Sequence, residues 1–225
     1  GALWYRIDLS AGRLKVTVRL LRPADTTTFF LPDSATRPPI SIGGAAGPDG
    51  PVAMDQLPSE ERIDVESGGL PWVELTYRVD LPSQPAESPR PTSSYEGQTL
   101  LAYAPAILVV PSKQVLAPIR DIPIEIHAPN QWRLLATWSP IRSAPSETND
   151  RRAVHGYIAR DVQQLRDAFL VAGPRLQVAT GSAKGKRLRV GFGEGFEGGR
   201  QRLTAMIADI TDTYRQTFGS IGDII

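Results

Sequence analysis

The chain has 225 residues, of which 41% are hydrophobic and 22% are charged, as is typical of a globular protein long enough to bury a substantial core. Its 25 basic and 24 acidic residues leave a formal net charge of +1, which argues against broad binding of nucleic acid or of an anionic membrane. The absence of cysteine excludes disulfides, thiolate nucleophiles and Cys-ligated zinc. It leaves the compartment open, with an extracytoplasmic location slightly favoured. No apolar run approaches the roughly 18–20 residues of a membrane-spanning helix, so no membrane span is expected.

Short strands separated by Pro- and Gly-rich loops are predicted up to about residue 160. Apolar and polar residues alternate in Leu3–Leu9 and in Arg13–Leu20, and Gly12 lies between them, which predicts a β-hairpin. Residues 33–60 predict loops around one short strand at 39–42, and residues 82–94 predict a long exposed loop. The remaining strands are expected at Arg62–Glu66, Trp72–Leu81, Ile107–Val110, Ile122–His127, Arg133–Trp138 and Val154–Ala159. The fold predicted for residues 1–172 is therefore mainly β, an antiparallel β-sandwich.

The pattern changes near Gly173. Before it, Asp161 is expected to cap a short helix that runs to Phe169. After it, residues 175–179 and 187–192 predict a hairpin, and residues 199–218 predict one long amphipathic helix that ends at Gly219. Its apolar stripe is expected to contain Leu203, Met206, Ile207, Ile210, Tyr214 and Phe218. A small α+β strand–strand–helix unit of this size cannot bury a core by itself. Residues 173–225 are therefore expected to begin a second domain that continues beyond Ile225.

Two glycine-rich segments resemble phosphate-binding motifs. Gly193-Glu-Gly195-Phe-Glu-Gly198 spells G-x-G-x-x-G between a predicted strand and a predicted helix, as a dinucleotide site requires. The preceding strand alternates, however, and two glutamates would lie beside a diphosphate, so a strand-to-helix loop is the preferred interpretation. Gly181–Arg187 is one residue too short for a P-loop and has arginine in place of the metal-binding Ser or Thr, so a basic hairpin turn is preferred.

No catalytic set is evident. His127 and His155 both lie in predicted strands, and neither begins an H-E-x-x-H motif or has a histidine at helical spacing. The acidic residues around Glu60–Glu66 are expected on a solvated sheet face, although a paired-carboxylate glycosidase stays open. Four tryptophans lie in or beside strands, where packing is favoured over a sugar- or peptide-binding surface: Trp4, Trp72, Trp132 and Trp138.

From Tyr95 onward, a series of landmarks occurs in a definite order. They are Tyr95-Glu-Gly, Ile107-Leu-Val-Val-Pro111, Ile122–Pro129, Gln131–Thr137, Gly156-Tyr-Ile-Ala-Arg-Asp161, Leu165-Arg-Asp167, Gly173 and Thr213–Gly219. This order resembles the N-terminal β-domain and the first catalytic-domain elements of the glycyl aminopeptidase family. These are gluzincin zinc peptidases related in architecture to aminopeptidase N. The resemblance implies a β-domain that leads into a thermolysin-like domain.

The resemblance does not extend to the family's catalytic residues. The zinc site of that family needs H-E-x-x-H on a helix and a downstream Glu, and the motif Glu activates water. This sequence contains none of these, so no catalytic, cofactor-binding or metal-binding residue is assigned. The chain alone is expected to bind no zinc and to cleave no peptide by that mechanism. Zinc is expected only if a catalytic domain follows.

Two functions are compatible with these features. The first is the non-catalytic N-terminal region of a metallo-aminopeptidase, which scaffolds the substrate cleft and has its own C-terminal catalytic domain as partner. The second is a stand-alone extracytoplasmic β-sandwich that binds a protein or a glycan. An apolar stripe left exposed on the 199–218 helix would favour the first, because such a stripe indicates a neighbouring domain.

Overall fold

The computed structural model describes residues 2–35, 37–84, 92–112, 119–141, 146–148, 152–183, 186–193 and 198–218. Strands dominate these residues. In chain order they are β1 (Leu3–Ser10), β2 (Arg13–Leu21), β3 (Thr26–Phe30), β4 (Ile40–Gly47), β5 (Gly50–Val52), β6 (Met54–Leu57), β7 (Arg62–Glu66), β8 (Trp72–Asp80), β9 (Ser94–Glu96), β10 (Thr99–Tyr103), β11 (Val110–Pro111), β12 (Ile122–Pro129), β13 (Arg133–Ala136), β14 (Ser139–Pro140), β15 (Ser146–Thr148), β16 (Arg152–Ala159), β17 (Phe169–Gly173), β18 (Gln177–Ala183) and β19 (Lys186–Phe192). The helices are α1 (Ala104–Ile107), α2 (Val162–Arg166) and α3 (Arg200–Phe218), with a 3-10 turn at Pro58–Glu60.

Three sheets build the sandwich. The largest has nine strands in the order β14-β16-β12-β1-β2-β8-β4-β5, and β15 also pairs with β16. Two smaller sheets have the orders β13-β17-β10-β9 and β11-β3-β7-β6. The strands pair antiparallel, except that β1 and β12 run parallel. The hairpin β18–β19 forms a separate two-stranded sheet. The predicted mainly β fold, with a sandwich and a small helix-containing unit, is confirmed.

The core lies between the nine-stranded sheet and the two four-stranded sheets. Every second side chain of β1, β2, β8 and β12 is buried, as the alternation of apolar and polar residues predicts for a sheet with one covered face. The same cluster contains Phe29 and Ile63 from one small sheet and Leu100 and Leu170 from the other. The opposite face of the nine-stranded sheet is partly exposed and carries mainly polar and charged side chains, together with Trp4 and Trp72.

Two buried tyrosines connect the layers. The Tyr5 hydroxyl donates to the carbonyl oxygen of Val109 at 2.9 Å, and the Tyr77 hydroxyl donates to the carbonyl of Ile107 at 3.1 Å. Tyr77 also accepts a hydrogen bond from the Val109 N–H at 2.9 Å. The backbone groups of Ile107 and Val109 thus have hydrogen-bond partners inside the core, where an unpaired peptide group would be costly. Burial raises the pKa of both phenols well above the ordinary value.

The strand predicted at Ile107–Val110 is wrong. Residues 104–107 instead form the single turn α1, and only Val110–Pro111 pairs as a strand. Pro105 lies in the first turn of α1. Backbone N–H groups in a first turn have no acceptor within the helix, so proline, which lacks this N–H, is tolerated there. An apolar run of this length is compatible with either structure, because burial on all sides removes the periodicity that distinguishes them.

Residues 33–60 are more ordered than predicted. Strands β4, β5 and β6 occupy most of this segment, and β4 pairs with β8 through a register shift at residues 42–44. The Asp161 cap is confirmed, since its carboxylate accepts from the Gln164 N–H at 2.8 Å. Helix α2 ends at Arg166, however, and Phe169 already belongs to β17. Most of the predicted 82–94 loop, residues 85–91, lies outside the described residues.

The elements predicted after Gly173 are present. Hairpin β18–β19 is longer than predicted, and α3 begins at Arg200. Residues 184–185, between the two strands, lie outside the described part. Gly173 ends β17 close to the backbone that precedes β10. A Cβ at this position would lie 2.5 Å from the carbonyl oxygen of Gln98, so only glycine fits. The division into domains at residue 173 stays a prediction.

Candidate functional site

Helix α3 packs one face on the hairpin β18–β19. Ala208 and Leu188 are buried against each other, with Val190 and Ile207 partly buried around them. Thr204 is also buried, and its hydroxyl donates to the Arg200 carbonyl within the helix at 2.8 Å, which satisfies it away from water. The contact is small, because the hairpin has only two strands.

A second apolar group on α3 faces solvent. Met206 is 50% exposed and Ile210 is 58% exposed, and the two lie one helical turn apart. The predicted apolar stripe is therefore divided: Ile207 packs on the hairpin and Leu203 is half-buried, whereas Met206 and Ile210 are exposed. The side chains of the other predicted members, Tyr214 and Phe218, lie outside the described ones, as does Gly219. The exposed pair Met206 and Ile210 is called the helix patch below.

The outer face of the nine-stranded sheet carries a charged cluster centred on Asp8. Arg6 donates to both carboxylate oxygens of Asp8, with N···O distances of 3.0–3.3 Å. Arg152 approaches the same carboxylate at 3.5 Å, and His127 Nδ1 lies 3.9 Å from it. Strands β1, β12 and β16 bring these groups together, because their register places Asp8 opposite His127.

A groove of about 270 Å³ lies beside this cluster. Its lining residues are Arg6, Asp8, Ser10, Arg13, Lys15 and Arg152. Arg13 also donates to Asp80 at 2.8 Å, and this hydrogen bond lowers the pKa of the Asp80 carboxyl below its ordinary value. The groove therefore offers a positive electrostatic surface, which suits binding rather than bond-breaking chemistry. This surface is called the basic groove below.

The two histidines do not converge. His127 lies on the outer face, where its Nε2 atom makes no hydrogen bond with a described residue, although a Glu125 oxygen is 3.5 Å away. His155 lies opposite Ile126, a fully buried residue, so its side chain is on the inner face of the sheet. Burial lowers the pKa of the His155 imidazole. The two rings are separated by the sheet and cannot act on one substrate.

The four tryptophans do not form a shared surface. Trp132 and Trp138 are buried, with 8% and 1% exposure. Trp4 and Trp72 lie on the outer face, and the guanidinium of Arg19 sits over both rings, 5.4 and 4.8 Å from their centroids. This packing confirms the structural interpretation and gives no support to a glycan-binding platform.

The remaining sequence motifs form no site in the described part of the chain. Residues 194–197 of the G-x-G-x-x-G segment lie outside the described residues, as do residues 184 and 185 of the basic turn. Across the residues that the structure describes, no three His, Asp or Glu side chains are grouped to hold a metal ion. In that same part of the chain, no helix is long and apolar enough to span a membrane.

Sequence reasoning missed the basic groove. Its only local signal is the alternation of charged residues in Arg6, Asp8, Arg13 and Lys15, which places them on one face of two paired strands. Arg152 joins them across 144 residues from Asp8, a contact that no local pattern indicates.

Comparison with known proteins gives matches in structure alone. No family model matches the sequence, and no curated protein matches it. Among solved structures, the chain is similar to an aminopeptidase N family protein from Idiomarina loihiensis, with 16% identity and a TM-score of 0.72 over 96% of this chain and 36% of that one. It is also similar to an M1 zinc metallopeptidase from Deinococcus radiodurans, with 15% identity and a TM-score of 0.65 over 99% of this chain and 54% of that one.

The chain has the fold of a part of an M1 metallopeptidase. This agrees with the resemblance that the landmarks from Tyr95 onward predict. The chain spans between about a third and a half of the length of these peptidases, 36% in one and 54% in the other. At such low identity the similarity establishes the shared fold, and the metallopeptidase activity belongs to the matched proteins.

Proposed function

We propose that this chain is the non-catalytic N-terminal region of a zinc metallopeptidase of the aminopeptidase type. The observation that carries the proposal is the asymmetry of the structural match: 96–99% of this chain overlays on 36–54% of the peptidases. The match includes nearly all of the chain, so the small helix–hairpin unit as well as the sandwich is accounted for. The order of the sequence landmarks supports the same assignment independently.

The partner of this region would be its own C-terminal catalytic domain, and the helix patch is the surface we assign to that contact. Helix α3 buries one face on a two-stranded hairpin and leaves Met206 and Ile210 at 50% and 58% exposure. Two large apolar side chains side by side on a helix are expected at a domain interface. The stand-alone binding module predicts instead a helix fully packed on its own sandwich.

The role of the region would be to scaffold the cleft that receives a peptide. Its described residues supply no acid, base or nucleophile set, so the chemistry would reside in the following domain. Zinc held there by an H-E-x-x-H helix would polarise the peptide carbonyl and activate water. The sandwich would contribute a rigid wall, since its core spans three sheets.

The coding sequence after Ile225 tests the proposal most directly. We expect an H-E-x-x-H motif within about a hundred residues, less than one typical domain length. The complete protein is expected to release N-terminal amino acids from a peptide and to lose this activity on chelation of zinc. A reading frame without the motif, or a complete protein that contains no zinc, would contradict the proposal.

The helix patch is tested separately in the complete protein. The substitutions Met206→Glu and Ile210→Glu are expected to lower peptidase activity and to make the complete protein more susceptible to proteolysis, because a charge would be buried at the interface. Leu21→Glu is the matched control, since Leu21 is 40% exposed on β2, far from α3 in the chain. Equal effects of the helix and control substitutions would remove the helix patch from the interface.

A further inference from the structure

The basic groove carries more positive charge than its own acidic residues can compensate. Four cationic side chains line it against the single carboxylate of Asp8. That carboxylate already accepts from Arg6 and lies 3.5 Å from Arg152. Arg13 shares Asp80 with Arg78, whose Nε lies 3.2 Å from the second oxygen. The carboxylates of Asp8 and Asp80 thus each lie within ion-pairing distance of two arginines.

Lys15 is the cationic lining residue that takes part in none of these ion pairs. In the strand register it lies between Asp8 on β1 and Arg78 on β8, one neighbour already paired and the other of like charge. Its side chain is exposed and forms no ion pair with any described residue. A lysine placed between an occupied carboxylate and an arginine is destabilised by repulsion unless an anion approaches.

We propose that the basic groove binds a dianionic oxyanion group, of the phosphate or sulphate type. Two negative charges match the surplus of the lining better than the single charge of a carboxylate. The Lys15 ammonium offers three donors on a flexible stem, and the guanidinium groups of Arg6 and Arg13 each keep N–H groups beyond those bound to aspartate. This site lies on the sandwich and is independent of the proposed peptidase function.

The size of the groove limits its ligand. About 270 Å³ falls just below the range of about 300–1,000 Å³ that is typical of sites for drug-sized molecules. An oxyanion with its bound waters fits this space, since each water occupies about 30 Å³. A folded partner protein would need a much larger contact area.

The site is tested by titrating the protein with sodium phosphate and, separately, with sodium sulphate while amide NMR signals are recorded. We expect saturable shifts confined to the strands around Asp8, Lys15 and Arg152, with sodium chloride at matched ionic strength producing none. Separate phosphate and sulphate series identify which oxyanion is preferred. Shifts that follow ionic strength alone, or no shift with either anion, would overturn the proposal.

Matched variants locate the binding. Lys15→Gln is expected to weaken oxyanion binding about tenfold, the effect of losing one charge-assisted hydrogen bond. Lys15→Arg keeps the charge and is expected to bind more tightly than Lys15→Gln. Arg202→Gln removes the same charge from the exposed surface of α3 and is expected to leave the affinity unchanged.

Two results with these variants would contradict the site. Equal weakening by Lys15→Gln and Arg202→Gln would show that only the net charge of the protein matters. If a glutamate-rich peptide bound more tightly than phosphate or sulphate, the ligand of the groove would be an acidic peptide and the oxyanion proposal would be wrong. Because the Lys15 side chain is exposed and its charge is repelled by Arg78, the melting temperature of Lys15→Gln without added anion should not fall below that of the unsubstituted protein, which separates loss of binding from loss of fold.

Discussion

At the scale of single residues, the two core tyrosines have unequal roles. The Tyr77 hydroxyl both donates to Ile107 and accepts from the Val109 N–H, whereas Tyr5 makes one bond to the Val109 carbonyl. Tyr77→Phe leaves two buried backbone groups unpaired, each worth about 1–3 kcal/mol, and Tyr5→Phe leaves one. We therefore expect urea unfolding to show a larger loss of stability for Tyr77→Phe. Equal losses would mean that water or backbone adjustment satisfies the freed groups.

The cap of α2 gives a second prediction at this scale. Asp161→Ala removes the acceptor for the Gln164 N–H and should lower the free energy of unfolding by about 1 kcal/mol. Asp161→Asn keeps a side-chain oxygen in the same position and should cost much less. Chemical denaturation of both variants distinguishes the hydrogen bond from a general effect of charge, which predicts similar losses.

These residues also show how far sequence reasoning extends. The Asp161 cap is predictable because the donor lies three residues away along the chain. The separation of His127 from His155 follows only from the register of β12 with β1 and β16, which fixes the face of each ring. The role of Lys15 depends on which acidic groups other cations occupy, and those pairs join different strands.

At the scale of elements, the contact between α3 and its hairpin depends on Gly181. A Cβ at this position would lie 2.9 Å from Cγ2 of Thr204, a buried residue on the helix. We expect Gly181→Ala to destabilise the unit by about 1–3 kcal/mol through overpacking. This loss exceeds the stabilisation of about 0.4–1 kcal/mol that a Gly→Ala substitution gives by lowering the conformational entropy of the unfolded chain.

The companion substitution Thr204→Ser tests the cause. Serine lacks the Cγ2 methyl, so the double variant Gly181→Ala/Thr204→Ser should recover most of the lost stability. Hydrogen exchange of the α3 amides reports this unit separately from the sandwich. Failure of the serine to restore protection would show that the loss arises from the strand backbone.

Elements with a clear period were predictable, and fully buried ones were not. The alternation in β1, β2 and β8 follows their half-buried positions in the large sheet. Segment 104–110 is buried on nearly every side, so its sequence lacks a period; the helix α1 was not predicted, and a strand was predicted at Ile107–Val110 instead. In α3 the helix was predictable, but the division of its apolar residues depends on the hairpin that it contacts.

At the scale of the whole molecule, the buried tyrosines set an alkaline limit to stability. Burial raises the pKa of Tyr5 and Tyr77 in the folded protein, whereas both titrate near pH 10 in the unfolded chain. The two tyrosines therefore contribute fully to the stability of the fold below about pH 10, and this stability is lost as the pH rises toward the pKa of the folded state. We expect the free energy of unfolding to fall by about 1.4 kcal/mol per pH unit for each tyrosine above pH 10.

Denaturant titrations between pH 8 and pH 12 measure this slope. Tyr5→Phe should lower the slope by the contribution of one tyrosine, and the double variant Tyr5→Phe/Tyr77→Phe should lower it by the contribution of two. Absorbance near 295 nm should show the two buried phenols ionising only as the protein unfolds. Normal titration of all tyrosines in the folded state would contradict the assignment.

The place of β1 in the large sheet has a consequence for protein synthesis. β1 is synthesised before both of its partner strands, yet it lies inside the nine-stranded sheet, with β2 on one side and the parallel strand β12 on the other. Its second edge stays unpaired until residue 129 is available, which takes several seconds at about 5–20 residues per second. An apolar strand with an open edge is a template for pairing with other chains. Nascent chains on one polysome therefore need to be kept apart during this interval.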